Sequence, residues 1–309
     1  MSTVFVTGAS GFVGSHLVRR LVQEGFDVHV LCRRESTAWR IRDLLPQLRV
    51  HTASLVDAVA MRQVLRAARP DYVFHLGAAT MVAGAVGSAD DLVEVNLLGT
   101  MNLIEACEVT DYRGLVITGD SFEYSPSDQP LRERSACQPS SPHGASKLAA
   151  TLFAEKMARD RHHPIVTLRL FSTYGPGDDP RRFVPQTIAG ALTGMPIALS
   201  RPDIVRDWVY VEDLPALYLE AAARAATLSG SVFNAGSGRG ASLGEMVDRI
   251  LGLTGSRAPA RWGTFAAPEH DRYPWVADMT RTHRIFAWRP RTSLEKGLAA
   301  TIQAMREAA

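Results

Sequence analysis

The segment Gly8-Ala9-Ser10-Gly11-Phe12-Val13-Gly14 constrains this chain more than any other. Ahead of it, residues 3–7 (TVFVT) have the apolar, β-branched character of a short strand. Behind it, Val13, Leu17, Val18, Leu21 and Val22 recur at helical spacing. Glycine at the first position permits a tight turn. At the second it lets a pyrophosphate approach the backbone, and at the third it lets helix lie close on strand. The helix start then offers unpaired N–H groups and the positive end of its dipole to phosphate. The strand before and the helix after separate this arrangement from a chance glycine triplet, whose rival reading is a turn without a ligand.

The rest of the first half repeats the same alternation. Strands are expected at residues 27–31, 49–52, 71–76, 115–118 and 165–170, and helices at 61–68, 92–107 and 144–159. Strands alternating with helices, and apolar on both faces, predict an α/β fold with a doubly wound parallel sheet. Past residue 170 the chain becomes irregular and rich in Gly and Pro turns, as in Thr173-Tyr174-Gly175-Pro176-Gly177. Residues 1–170 are therefore expected to form a dinucleotide-binding domain. Residues 171–309 are expected to form a smaller, mainly substrate-binding α/β domain, some of whose strands return to the first sheet. The 309 residues suffice for two such units. Residues 125–144 form a Ser/Pro/Gln-rich loop of the kind that carries active-site groups.

Charge and cysteine usage narrow the setting. Lys and Arg number 34 against 32 Asp and Glu, which gives no global electrostatic case for nucleic acid or an anionic membrane. Cys32, Cys107 and Cys137 lack CxxC spacing, so neither a disulfide framework nor a metal site is expected. No apolar run reaches the roughly 18–20 residues of a membrane span, and the chain opens on a strand rather than a signal peptide. The expected location is the cytoplasm. The second strand ends in Cys32-Arg33-Arg34, with no carboxylate to hold a ribose 2′-hydroxyl. Two guanidiniums suit a 2′-phosphate, so NADP is favoured and NAD remains possible; the rival reading is a solvated Arg pair.

Ordered matches along nearly the whole chain carry a resemblance. They are the turn at residues 8–14, His75-Leu76-Gly77-Ala78-Ala79, Val95-Asn96-Leu97-Leu98-Gly99-Thr100, the Tyr174-Gly175-Pro176 turn, Arg206-Asp207-Trp208-Val209-Tyr210-Val211-Glu212-Asp213-Leu214, Phe233-Asn234-Ala235-Gly236 and Ala287-Trp288-Arg289-Pro290. The chain resembles the extended short-chain dehydrogenase/reductases, in their nucleotide-sugar branch of epimerases, dehydratases and 4-ketoreductases. The resemblance implies a Rossmann-type sheet, an NAD(P)-dependent enzyme and a nucleotide-activated sugar as small-molecule substrate. It places cofactor contacts at Gly8, Ser10, Gly11, Phe12, Val13 and Gly14, at Arg33, Arg34, Ser54 and Leu55, and at Leu76, Gly77, Ala78, Ala79, Lys147 and Leu170. Substrate contacts fall on Thr80, Phe122, Ser172, Phe183, Arg206 and Arg272. The helices at 92–107 and 144–159, with Leu97, Leu98, Met101, Leu148, Leu152 and Phe153, correspond to those that pair in the family's homodimer.

The departures are as informative as the matches. The family's catalytic set is a Tyr, a Lys four residues later on the same helix face, and a Ser or Thr ending the fifth strand. Here Lys147 fills the Lys position within Ser141-Pro142-His143-Gly144-Ala145-Ser146-Lys147, but the Tyr position holds His143. Anchored on Tyr124, the Ser/Thr position falls on Asp120; a slip of one would place it on Ser121. A carboxylate can fix an imidazole tautomer and support its protonated form, so Asp120 and His143 together can do acid/base work. The rival reading is that the Tyr was lost along with the proton-transfer step. Ser172 stands where the family often has an Asn that holds diphosphate. Pro268 stands where many members carry an Arg, for which Arg261 or Arg272 is the candidate stand-in. The Asp that the family tends to place against the adenine is missing at Ser54-Leu55, and Asp57 is expected to be merely solvated. Trp208, Trp262, Trp275 and Trp288 are expected in core packing, and His162-His163 as a helix end rather than a metal site.

Three functions follow from this reading. The first is a 4-ketoreductase or epimerase of a nucleotide sugar, with a dehydratase less favoured because Ser121 and Phe122 replace that group's acid pair. The second is a non-redox cyclase, isomerase or lyase using Asp120 and His143 on a secondary metabolite. The third is a dinucleotide-binding protein without turnover.

Overall fold

Seven parallel strands form the central sheet of the computed structural model, which describes residues 2–32, 38–80 and 89–308. The strands in chain order are β1 (Thr3–Thr7), β2 (Asp27–Cys32), β3 (Arg49–Thr52), β4 (Tyr72–His75), β5 (Gly114–Asp120), β6 (Ile165–Leu170), β7 (Ser172–Tyr174), β8 (Ile197–Ala198), β9 (Val205–Tyr210), β10 (Ser231–Ala235), β11 (Gly240–Ser242) and β12 (Ala260–Arg261). The helices are α1 (Phe12–Gln23), α2 (Ala58–Ala68), α3 (Ala89–Leu92), α4 (Gly99–Cys107), α5 (Pro142–Arg161), α6 (Phe183–Thr193), α7 (Leu214–Ala223), α8 (Leu243–Thr254), α9 (Thr280–Ile285) and α10 (Leu294–Glu307).

The central sheet runs β10-β6-β5-β4-β1-β2-β3. The order in which successive strands are added switches from one side of β1 to the other, and a crevice opens there at the carboxyl ends of the strands. Side chains alternate across each strand. Val4 and Val6 of β1 accordingly join Leu17, Val18 and Leu21 of α1 in one core, while Phe5 joins Met61, Leu65, Leu103 and Ile117 in the other. All six residues of β6 are buried, as a strand covered by helices on both faces requires. Each fully buried Leu or Phe contributes roughly 1.5–3 kcal/mol by leaving water.

The second half adds a three-stranded sheet, β11-β9-β7, and the short pair β12-β8. β10 lies in the central sheet, parallel to β6 from Ser231 opposite Val166 to Ala235 opposite Leu170. Trp275 and Trp288 are buried, and Trp208 packs on Tyr174 and Phe183. Asp57 caps α2 by accepting from the Ala60 amide at 2.9 Å, so it does more than meet solvent. His162 ends α5 in the left-handed region (φ 56°), and His163 bonds Tyr112 Oη at 2.8 Å. The single helix expected over 92–107 is interrupted. Between α3 and α4, residues Val93–Leu98 wind as a π-helix, and the inward-turned Asn96 there bonds the loop after β4. Wide turns of this kind often serve a site. Among the described residues no helix is long and apolar enough to cross a membrane, and no group of three His, Cys, Asp or Glu is placed to hold a metal ion.

Candidate active site

A cleft of about 1040 Å³ lies at the carboxyl ends of β1, β4, β5 and β6. Backbone forms its floor. Gly8 takes φ +70°, and a Cβ there would lie 2.5 Å from the Gly77 nitrogen. A Cβ at Gly14 would lie 2.1 Å from the Gly8 carbonyl oxygen, so α1 approaches β1 as closely as it does only because position 14 is glycine. Gly11 opens α1 without a side-chain cap, and the first turn carries no acidic residue. Its amides therefore remain available to an anion. This bare, glycine-lined helix start fits the pyrophosphate of a dinucleotide.

Behind the floor, His75 is fully buried between Thr7 Oγ1 (2.7 Å) and Thr100 Oγ1 (2.9 Å). Burial first, and the nearby Lys147 charge second, push its imidazole down to about 3, so it stays neutral and serves as a strut. Thr7 Oγ1 also accepts from the Gly77 amide at 3.1 Å, and Asn96 grips both polar groups of the Ala79 backbone. Asn96 Nδ2 reaches Ser146 Oγ at 2.9 Å, and Ser146 Oγ donates to the His143 carbonyl at 2.8 Å. One chain of bonds thus ties the loop after β4 to the start of α5.

The reactive side chains stand on β5 and α5. Ser141 caps α5 by accepting from the Gly144 amide at 3.1 Å, and Pro142 suits the first turn. One turn separates His143 from Lys147, so both face the cleft. Asp120 ends β5 and caps the turn Ser121–Glu123, its Oδ1 accepting from the Phe122 amide at 2.8 Å. Its Oδ2 is left 3.3 Å from His143 Nε2. Burial pushes the Asp120 carboxyl up, but the His143 bond and charge, the Phe122 amide and Lys147 together hold it below its ordinary value. His143 Nδ1 is buried without a partner, so the polar contact of the ring is made by Nε2, and a proton held there faces Asp120. The buried Lys147 donates to the Thr118 carbonyl. Burial lowers its ammonium below the usual lysine value, against the support of Glu123 and Asp120.

The cleft gathers most of the residues named from sequence: Gly8, Ser10, Gly11, Phe12, Val13, Gly14, Leu76, Ala78, Thr80, Asp120, Phe122, His143, Lys147, Leu170 and Phe183 line it. Others do not line it, each for a local reason. Gly77 and Ala79 turn their amides to Thr7 and Asn96. Leu55 packs under Gly77 and Gly99, and Ser54 opens the exposed turn into α2. Ser121 is buried inside the turn that Asp120 caps. Ser172 lies opposite Trp208 in the β7–β9 pair. Arg206 is paired with Asp271, both mostly buried, and Arg272 turns to Tyr273 Oη at 2.9 Å and to Glu269. Arg33 and Arg34 lie outside the described residues.

Sequence reasoning missed other lining residues. Arg40 donates to the Gly177 carbonyl (2.6 Å) and the Ser10 carbonyl (3.2 Å), bridging the turn after β7 to the glycine turn. No local pattern marks it, because it acts through a contact 137 residues away in the chain. Asp178 and Asp179 directly follow the Tyr174-Gly175-Pro176-Gly177 turn, a signal that was available. His270, edge-on to Phe122 at 5.6 Å between centroids, closes the far side.

Comparison with known proteins bears on the family and the fold. The model of the NAD dependent epimerase/dehydratase family matches residues 4–236. A dTDP-glucose 4,6-dehydratase of Neisseria gonorrhoeae is 28% identical, over 97% of this chain and 94% of that one. Among solved structures, a UDP-glucose 4-epimerase of Thermotoga maritima with UDP-glucose superposes with a TM-score of 0.89 at 26% identity, covering 99% of both chains. A Thermus thermophilus UDP-glucose 4-epimerase in complex with NAD does so with a TM-score of 0.85 at 26% identity, again over 99% of both.

Proposed function

The chain belongs to the NAD dependent epimerase/dehydratase family, and from that premise we propose that it oxidises a carbinol carbon or reduces a ketone carbon of a nucleotide-activated sugar, as a 4-ketoreductase or epimerase, with His143 as acid/base. The observation that carries this reading is the Asp120–His143 pair, set one helical turn from Lys147 in the cleft floored by the glycine turn.

The first turn of α1 and the glycines at 8, 11 and 14 would hold the dinucleotide's phosphates, and Lys147 its nicotinamide ribose. When bound, a nicotinamide dinucleotide takes up or returns hydride at the sugar carbon. The Asp120–His143 pair, which shares one proton between Oδ2 and Nε2, takes the proton from the sugar hydroxyl in the oxidising direction and gives it back in the reducing one. Asp120 holds the ring and stabilises its protonated form. Arg33 and Arg34 favour NADP, and Arg40 adds a cation beside the glycine turn. The relative that binds NAD supports the other choice of cofactor. A nucleotide diphosphate would draw Arg206 away from Asp271. Val93, Leu98 and Leu152 are exposed on the adjoining π-helix and α5, and we infer that this face pairs two copies of the chain; sedimentation of the purified protein measures its mass in solution.

Mass spectrometry of the nucleotide released on denaturing the purified protein, with NAD(H) and NADP(H) titrations alongside, tests the reading. Bound NADP(H), weakened by Arg33→Ala, supports a reductase using a dissociable cofactor. Tightly retained NAD⁺ supports an epimerase that restores its cofactor within each turnover. Absence of any dinucleotide affinity overturns the proposal.

A further inference from the structure

Glu123 is fully buried, and both its carboxylate oxygens are committed. Oε2 accepts from Arg169 Nε at 2.6 Å. Oε1 accepts from the Asp120 amide at 2.8 Å and from Thr151 Oγ1 at 3.1 Å. Arg169 is itself buried, its guanidinium 4.4 Å from the centre of the Tyr124 ring and its Nη1 on the Glu133 carbonyl at 3.4 Å. Burying such a pair is a poor route to stability, because desolvating both ions offsets most of their attraction, and a well-packed apolar pair often does as well. The surrounding chain nonetheless accommodates it. A Cβ at Gly119 would lie 2.7 Å from Glu123 Oε1, so the carboxylate sits where it does only because position 119 is glycine.

We propose that Glu123, anchored by Arg169, is a positioning residue that holds Asp120 against His143. Glu123 fixes the Asp120 backbone through its amide, and the Phe122 amide fixes Oδ1 of the Asp120 side chain. With both ends held, Oδ2 is directed to His143 Nε2. The turn that carries Glu123 is in turn pressed onto α5: a Cβ at Gly144 would lie 2.2 Å from the Phe122 carbonyl oxygen. Two helix-and-strand ends are thereby locked in one register, and the two departures at Asp120 and His143 share a third residue that supports them. Glu123 also faces Lys147 as a counter-charge, which gives the buried site two cations, Lys147 and Arg169, and two carboxylates, Glu123 and Asp120.

The inference rests on the acid/base role of His143, and its test separates the two. In ¹⁵N-histidine-labelled protein the ring shifts of His143, assigned with His143→Gln, report which nitrogen carries the proton. The parent is expected to hold it on Nε2, facing Asp120, and Asp120→Ala to release it to a mixture. Glu123→Leu with Arg169→Met removes both buried charges together and is expected to keep the parent's melting temperature within a few degrees. If Glu123 positions Asp120, this double variant shows the same mixture as Asp120→Ala. If Glu123 is only a packing element, the double variant keeps the proton on Nε2, and the proposal fails. Should the double variant not fold, Glu123→Met with Arg169→Leu, a second apolar pair, is read in the same way. A parent without an Nε2-held proton would defeat the Asp120–His143 reading itself. On UDP-glucose, where the parent turns it over, the double variant is expected to lose at least tenfold in kcat with KM changed less than threefold.

Discussion

At the β1 end of the cleft the working surface is backbone: the glycines at 8, 11 and 14 and the uncapped start of α1. At the β5 end it is side chains: Asp120, His143 and Lys147, held by a third layer that includes Glu123, Asn96 and Ser146. At Gly8 and Gly14 the first end tolerates no added atom, since the nearest neighbours of a new Cβ are main-chain atoms that cannot move aside. The second end is made of side chains, each oriented by hydrogen bonds to its neighbours. Backbone contacts leave no freedom to an added atom, whereas the orientation of a side chain depends on the partners built around it.

The strongest way to break this contrast is at Gly14. Gly14→Val places carbon 2.1 Å from the Gly8 carbonyl oxygen, and dinucleotide binding measured by calorimetry is expected to fall below detection, with stability also reduced. His143→Ala should leave cofactor affinity intact and lower kcat by roughly 10²–10⁴-fold, the usual contribution of a general acid/base. Unchanged turnover would remove His143 from the mechanism. His75 offers a test by pH. Its folded pKa, about 3, lies below the unfolded value of 6.5, so the stability it contributes is complete above pH 6.5 and is lost as pH falls toward 3. The parent should lose about 1.4 kcal/mol per pH unit in that window from this group, and His75→Asn should flatten that slope in urea titrations. The smallest effect is expected at Asp271. Asp271→Asn releases Arg206 from its competing carboxylate, and UDP should then bind about 3- to 10-fold more tightly, a gain of roughly 0.7–1.4 kcal/mol.

Much of this molecule was legible in its sequence for reasons that are local. The strand, turn and helix around Gly8 follow from chain stereochemistry, and β6, expected at 165–170, appears with those bounds. The readings of Asp120 and His143 came from the sequence frame around them, and the structure brings the two within 3.3 Å. What escaped were contacts between residues far apart in the chain. Arg40 meets Gly177, Glu123 meets Arg169, and Arg206 is occupied by Asp271. The π-helix at Val93–Leu98 also escaped, because helical spacing of apolar residues does not separate one helical winding from another when tertiary bonds such as those of Asn96 decide it.

The amino-acid sequence by itself determined the order of strands and helices, the glycine turn and the residue types available for proton transfer, since these depend on backbone sterics and short-range periodicity. Only the tertiary structure decided that Asp120 Oδ2 meets His143 Nε2, that Nδ1 of the same ring is shut away, and that a buried carboxylate stands behind the pair. Those outcomes depend on how the end of β5 docks against the start of α5, and the register of that docking is set by close packing at Gly119 and Gly144.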